Sequence, residues 1–317
     1  MRNNMDEKIK KGGISVETEH IFPIIKKWLY SDKDIFLREI VSNACDAVTK
    51  LRRLTSLGQV SDIPDDYKIT VKADKEERTI TVSDNGIGMT EEELDRYLCQ
   101  IALSGALDFI NKYEGEENRN NGIIGHFGLG FYSSFMVSDR VTVVTKSYTG
   151  APAVKWECTD SGEYTLSPSD KETRGTDVIM HIADGEDEYL EDGKLKSILE
   201  QYCSFMPVEI YYEGEKKPEP EKKEGEEAKE PEAPKPINDT HPLWMKNPSD
   251  CTEEEYLEFY RKVFHDYREP LFHIHINADY PLNFRGILYF PKITNEYESL
   301  EGQVKLYYNQ VFVADNI

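Results

Sequence analysis

Three polar side chains near the start of the sequence are spaced as neighbours on a helix. Glu39, Asn43 and Asp46 are separated by four and three residues, so they share one helical face. An amide oxygen is a neutral ligand for Mg²⁺, and a neighbouring carboxylate can polarise a water molecule. The same spacing also fits a solvated stripe on an amphipathic helix, so it does not define a site by itself.

A second motif, Asp-Asn-Gly-Ile-Gly-Met, occupies residues 84–89, between a strand pattern and the start of a helix. Its glycines allow the backbone to turn sharply and to approach a ligand closely. A buried carboxylate at Asp84 could accept a hydrogen bond from an exocyclic amine such as that of adenine. An ordinary Asp-Asn-Gly turn is the alternative interpretation.

A third motif, Gly-Ile-Ile-Gly-His-Phe-Gly-Leu-Gly-Phe-Tyr-Ser, occupies residues 122–133 and precedes a helix-like run at 131–137. Free backbone N–H groups at a helix N-terminus suit phosphate binding. The motif is not a P-loop, because no Gly-Lys-Ser/Thr follows, and a flexible hinge is the alternative. Further along, Thr176 opens a predicted strand and could direct its hydroxyl towards the second motif.

The elements around these motifs are predicted from hydrophobic periodicity and capping signals. Capping boxes at Thr90 with Glu93 and at Thr252 with Glu255 start two helices. Helices come mostly early and strands later, which favours an α+β, two-layer sandwich over a doubly wound parallel sheet. The other predicted helices span 16–30 and 34–54, and the predicted strands span 68–72, 79–83, 141–146, 153–158, 176–182, 272–276, 284–290 and 304–312.

Residues 213–236 divide the chain, with nine Glu, six Lys and five Pro and no large apolar side chain. Such a composition cannot offset the entropy of ordering it, so it predicts an extended linker. We therefore expect a first domain at 1–212, a charged linker at 213–236, and a second domain at 237–317. The second domain stops at a strand-like run and is expected to be the incomplete first part of a longer α/β domain.

The charge balance excludes some functions. Against 38 Lys plus Arg the 317-residue chain has 60 Asp plus Glu, a net charge of −22, which argues against general nucleic-acid binding. No apolar run reaches the length needed to span a bilayer, and the N-terminus has no secretory h-region. Five scattered cysteines without a CxxC pair fit a reducing, cytoplasmic setting.

In their order along the chain, the motifs resemble the GHKL ATPase superfamily. Within it the chain resembles the heat-shock protein 90 chaperones, and most of all their bacterial branch, from about Val16 to the last residue. The segments that carry the resemblance are FLREIVSNACDA, SDNGIGMT, GIIGHFGLGFYSSFMVSDRV and HPLWMKNPSDCTEEEYLEFYRKVF.

The resemblance implies a role for each candidate residue. Glu39 corresponds to the catalytic general base, Asn43 to the residue that coordinates magnesium and the phosphates, and Asp84 to the carboxylate that binds the adenine amine. The remaining ATP-binding residues implied are Asp46 on the helix, Gly88 and Met89 beside the base, Thr176 through a water molecule, and Gly128, Gly130 and Phe131 around the terminal phosphate.

The function implied is that of an ATP-dependent molecular chaperone with ATP or ADP and Mg²⁺ as cofactors. Its partners would be client proteins and, in the full-length protein, a second copy in a homodimer, with no nucleic acid and no membrane. Residues 91–125 would form a lid over ATP, in which Leu103 replaces a frequent lysine. The family's γ-phosphate arginine would lie beyond residue 317, so slow turnover is expected.

Two alternatives remain open from the sequence. One is a non-catalytic fragment that binds nucleotide or client protein. The other is an ATPase of the DNA gyrase B or mismatch-repair type, which shares the Glu/Asn helix and the Asp84 motif. Proteins of that type hold DNA with basic patches, and the net charge of −22 counts against this second alternative.

Overall fold

A computed structural model describes residues 32–99, 105–113, 123–125, 128–214, 234–278, 283–292 and 304–315. The predicted helix at 16–30, Leu103 and most of the charged linker lie outside these residues. None of the helices in the described ranges is long and apolar enough to cross a membrane.

The central helix, α1, spans Ile35–Ser56. Its apolar residues recur with helical period, and Phe36, Leu37, Ile40, Val48 and Leu51 are almost completely buried. The helix packs on strands β1, β2 and β6 of the sheet described next. Its bounds confirm the predicted helix at 34–54 to within two residues, and its buried stripe leaves Glu39 and Asn43 on another face.

A seven-stranded sheet forms the second layer, in the order β5-β4-β3-β6-β2-β1-β7. Every neighbouring pair is antiparallel except β1 with β7. The helices lie against one antiparallel-dominated sheet, which confirms the α+β sandwich. The strands are β1 Ile69–Asp74, β2 Thr79–Asp84, β3 Ser138–Lys146, β4 Val154–Thr159, β5 Tyr164–Pro168, β6 Gly175–Ile182 and β7 Ile210–Glu213.

Three further helices accompany this sheet: α2 Glu91–Leu98, α3 Gly105–Tyr113 and α4 Asp192–Cys203. The predicted capping box at the start of α2 is present, with Thr90 and Glu93 bonded reciprocally. The helix-like run after the glycine motif is a 3₁₀ segment, Gly130–Met136, which packs beside α1. Sequence periodicity did not indicate α3, α4, β5 or β7.

After the linker the chain forms α5 Glu253–Phe264 and two hairpins, β8 Phe272–Ala278 with β9 Phe284–Phe290 and β10 Lys305–Tyr308 with β11 Val311–Asp315. The prediction of one strand at 304–312 was wrong. The chain turns at Asn309 and Gln310, whose φ angles are 48° and 65°. Two left-handed residues make a tight hairpin turn, and the apolar pattern continues unchanged on both sides of it.

The residues after the linker are anchored to the first sheet. Ile210 donates its N–H to Oδ1 of Asn238, and Nδ2 of Asn238 donates to the carbonyls of Met206 and Val208, all at 2.8 Å. The N–H of Ile237 also bonds the carbonyl of Ile210 at 2.8 Å. The chain therefore returns from the linker to β7, close to the point at which it left.

Aromatic rings extend this contact. The ring of Trp244 lies 4.6 Å from that of Phe205 and 5.0 Å from that of Tyr307, and the ring of Phe312 lies 5.7 Å from that of Tyr202. Phe205 and Phe312 are buried. The β10–β11 hairpin is thereby packed on the layer of helices that covers the seven-stranded sheet.

Candidate functional site

A cleft of about 820 Å³ lies between α1, the ends of β2, β3 and β6, and the 3₁₀ segment. This volume is within the range of small-molecule sites. The structure places all ten candidate residues at this cleft: Glu39, Asn43, Asp46, Asp84, Gly88, Met89, Gly128, Gly130, Phe131 and Thr176.

One end of the cleft is built by strands, and we call it the strand end. Asp84 on β2 and Thr145 on β3 both lie opposite Thr176 on β6 in the sheet register. The hydroxyls of Thr145 and Thr176 are 2.9 Å apart, and the N–H of Met89 donates to Oγ1 of Thr145 at 3.0 Å. The sheet therefore positions a carboxyl and two hydroxyls that are far apart in sequence.

The carboxyl of Asp84 is only 9% exposed. Burial raises its pKa from 3.8 to about 7, and the N–H of Gly86, which donates to Oδ1 at 2.8 Å, opposes part of that rise. A carboxyl with this pKa changes charge state easily near neutral pH. Its ionised form is a strong acceptor for an exocyclic amine.

The loop that carries Asp84 is held by close backbone contacts. A Cβ at Gly86 would overlap the backbone of Ala47 on α1, and a Cβ at Gly88 would overlap the carbonyl oxygen of Lys146. Gly88 also has a φ of 62°, which a side chain disfavours. The two glycines therefore clamp the loop between α1 and the end of β3.

The opposite end of the cleft, which we call the helix end, carries Glu39, the candidate general base for catalysis. Glu39 is held by Arg38, with Nη2 2.5 Å from Oε1, and its side chain is 22% exposed. A Cβ at Gly130 would overlap the other carboxylate oxygen of Glu39, so a side chain there would displace the acid from its position. Asn43, one turn further along α1, is exposed towards the cleft. A carboxylate, an amide and glycine backbone thus converge at this end.

Asp46 differs from its neighbours on the helix face. It is 4% exposed, and its two carboxylate oxygens accept the N–H groups of Ile124 and Gly125 at 2.7 and 2.8 Å. Its carboxylate therefore fixes the backbone of residues 123–125 to α1. The prediction that Asp46 also binds ATP remains a prediction.

Two functional candidates were missed in the sequence. Lys50 lines the cleft four residues after Asp46, and burial lowers its pKa against the opposing effect of Asp46 and other acids. Lys50 continues the helical spacing of Glu39 and Asn43, so the sequence contained a signal that could have identified it. Thr145 gave no signal, because it lies inside an apolar strand and reaches the site only through sheet pairing.

Oxygen donors at the helix end fit a magnesium ion that is held mainly by phosphate. Asn43 supplies a carbonyl oxygen, and Mg²⁺ usually takes only one or two protein ligands together with substrate phosphates and water. Among the described residues there is no group of three or more His, Cys, Asp or Glu that could hold a metal ion. A dedicated protein cage for a metal is therefore not present in these ranges.

The comparison with known proteins first gives the class. Residues 32–180 match the family described as histidine kinase-, DNA gyrase B- and HSP90-like ATPase. This range contains the whole strand end and helix end of the cleft. The fold and the site thus have the form of a GHKL-type nucleotide-binding domain.

The second comparison narrows this class. Residues 231–317 match the Hsp90 protein family. The chain is 51% identical over 309 residues to the chaperone protein HtpG of Porphyromonas gingivalis, covering 97% of this chain and 44% of that protein. For HtpG of Bacteroides fragilis the identity is 50% over 310 residues, covering 98% and 44%. The chain belongs to the Hsp90 family, and it spans about half the length of the curated relatives that it matches.

Proposed function

We propose that this chain is the ATP-binding part of an ATP-dependent molecular chaperone that binds and slowly hydrolyses Mg·ATP. The observation that supports it best is the buried Asp84 carboxyl beside Thr176 at one end of a cleft whose other end presents Glu39 and Asn43. The end with Asp84 has the chemistry to hold an adenine base. The end with Glu39 and Asn43 has the chemistry to hold phosphate and a water molecule.

In this proposal each residue acts through its own atoms. Asp84 accepts the adenine amine, with Gly88 and Met89 beside the base and Thr176 acting through a water molecule. The backbone at Gly128, Gly130 and Phe131 receives the terminal phosphate. When bound, Mg²⁺ neutralises phosphate charge. Glu39 orients the attacking water molecule and accepts its proton.

The biological setting is also part of the proposal. The relatives are named chaperones, so the partners expected are client proteins and, in the full-length protein, a second copy of the chain. Scattered free cysteines in the described residues support a reducing, cytoplasmic location. The net charge of −22 favours a chaperone over a DNA-handling relative of the same ATPase class.

Calorimetric titration with Mg·ADP tests the strand end. The parent should bind, and Asp84→Asn should weaken binding at least about tenfold, because an ionised acceptor is replaced by a neutral amide. The matched control is Asp177→Asn on the neighbouring strand, whose carboxylate bonds Lys171 at 2.7 Å and does not line the cleft. Equal losses in both variants, or no binding by the parent, would overturn the assignment.

A turnover assay separates an ATPase from a non-catalytic binding fragment. Glu39→Ala should retain Mg·ADP binding but reduce ATP hydrolysis by about 100-fold or to background, as expected when a general base is removed. Glu76→Ala, exposed in the turn between β1 and β2 and away from the cleft, is the control and should hydrolyse ATP like the parent. If the parent's turnover is insensitive to Glu39→Ala, the non-catalytic alternative is correct.

A further inference from the structure

The turn of the β10–β11 hairpin contacts two earlier segments of the chain through two amide side chains. Nδ2 of Asn309 donates to the carbonyl oxygen of Ile123 at 2.9 Å. Nε2 of the next residue, Gln310, donates to the carbonyl oxygen of Thr240 at 3.3 Å. Adjacent residues with similar left-handed φ angles therefore contact two different segments.

Side chains from two distant segments hold the backbone of residues 123–125. The carboxylate of Asp46 accepts the N–H groups of residues 124 and 125, and Asn309 donates to the carbonyl of Ile123. The side chain of Ile123 is 4% exposed and belongs to a small apolar cluster with Leu54 of α1 and Phe109 of α3. One acid of α1 and one amide of the hairpin thus fix the backbone of this segment from two sides.

The hairpin is firmly anchored where it makes this contact. Val311 and Phe312 are 5% and 7% exposed, and they join the core cluster that contains α1 and α4. Tyr308, Val311 and Phe312 also line the nucleotide cleft. The turn is therefore followed directly by buried core residues, and it lies next to the candidate site.

We propose that Asn309 is a positioning residue for the nucleotide cleft. It holds residues 123–125 against Asp46 and so couples the segment after the charged linker to the α1 face that carries Glu39 and Asn43. The inference rests on the proposed function for its effect on nucleotide, but the contact itself does not. Because coupling between two sites is reciprocal, nucleotide binding must stabilise the docked hairpin as much as the docked hairpin favours nucleotide.

Amide hydrogen exchange, measured by NMR on the nucleotide-free chain, tests the contact. Asn309→Gly removes the donor and keeps the left-handed turn, since glycine adopts positive φ without strain. The amides of Ile124 and Gly125 should exchange about three- to tenfold faster, as expected for loss of one neutral hydrogen bond. The matched variant Gln310→Gly changes the neighbouring left-handed residue and should leave these two amides like the parent.

The same variants then test the coupling. Mg·ADP should bind about two- to fivefold more weakly to Asn309→Gly than to Gln310→Gly. In the parent, Mg·ADP should slow exchange at Val311 and Phe312, and the slowing should shrink in Asn309→Gly. A merely structural role would not produce this reciprocal effect.

Three results would overturn the proposal: unchanged exchange at residues 124 and 125 in Asn309→Gly, the same change in Gln310→Gly, or a Mg·ADP affinity that is equal in the two variants. Should Asn309→Gly unfold, Asn309→Asp is the second variant, because it keeps the side-chain shape but places an acceptor against the Ile123 carbonyl. A parent that binds no Mg·ADP would overturn the proposed function, whereas the exchange experiment without nucleotide would still decide the contact.

Discussion

The strand end and the helix end of the cleft are built in opposite ways. At the strand end, Asp84 and Thr176 are buried and paired by sheet register, and Gly88 admits no side chain. At the helix end, Glu39 and Asn43 project from one face of α1, and both are partly or largely exposed. The first end is part of the core, and the second lies on its surface.

This difference separates stability from function. Changes at the strand end must alter folding and binding together, because the same atoms serve the core and the ligand. Changes at the helix end should alter chemistry with little effect on folding, because those side chains bury little surface. The three predictions below test that separation through the free energy of unfolding, starting with the largest change.

Gly88→Ala should have the largest effect. Its Cβ would meet the carbonyl oxygen of Lys146, and its φ is 62°. Gly58→Ala is the matched control, because Gly58 has a φ of 69° but no atom within 4 Å of the added carbon. In urea unfolding we expect a loss of about 3 kcal/mol or more for Gly88→Ala and about 1 kcal/mol for Gly58→Ala. Equal losses of unfolding free energy in the two variants would show that the loop can move to accommodate the added carbon.

Asp84→Asn should change how stability depends on pH. In the folded parent the pKa of Asp84 is raised from 3.8 to about 7, so its stabilising contribution is complete below about pH 4 and is lost as pH rises through about 7. Asparagine cannot ionise, and its oxygen can still accept the Gly86 N–H.

The parent should therefore lose stability between pH 5 and pH 8, and Asp84→Asn should not. As pH rises across this range, the unfolding free energy of Asp84→Asn should increase by about 2–3 kcal/mol relative to that of the parent. Urea unfolding of both proteins at the two pH values measures this gain. Asp177→Asn should show no comparable gain. Parallel pH profiles for the parent and Asp84→Asn would contradict the buried, neutralised acid.

Asn43→Ala should have the smallest effect on stability. The side chain is exposed in the middle of α1, and alanine is a better helix former, so the unfolding free energy should change by no more than about 0.5 kcal/mol. Mg·ADP should nevertheless bind about tenfold or more weakly, while adenosine, which reaches only the strand end, should bind as it does to the parent. Equal losses for both ligands would show that the two ends are not separable.

Much of the fold was predictable from local signals. The apolar stripe of α1, the alternation of β1 and β2 and the capping boxes at Thr90 and Thr252 each depend on residues within a few positions of one another. The hairpin turn at Asn309 was missed, because Tyr-Tyr-Asn-Gln-Val-Phe continues a strand-like pattern across it. Only the backbone angles of the two central residues separate the strands.

The candidate site divides in the same way. Helical spacing alone places Glu39 and Asn43 on one face, and the glycines of residues 84–89 and 122–130 identify the loops that approach a ligand. Sequence also sets the net charge of −22 and the composition of residues 213–236, which are rich in Glu, Lys and Pro. These properties depend only on residue types and on their order over short stretches of the chain, so the amino-acid sequence was sufficient to determine them.

The tertiary structure decided which distant groups meet. Register brings Thr145 to Thr176, burial moves the pKa of Asp84, and packing joins Asp46 and Asn309 to the two sides of residues 123–125. None of these contacts lies within one helix or one strand. They arise from the pairing and desolvation of segments that are far apart in the chain, and local spacing contains no information about either.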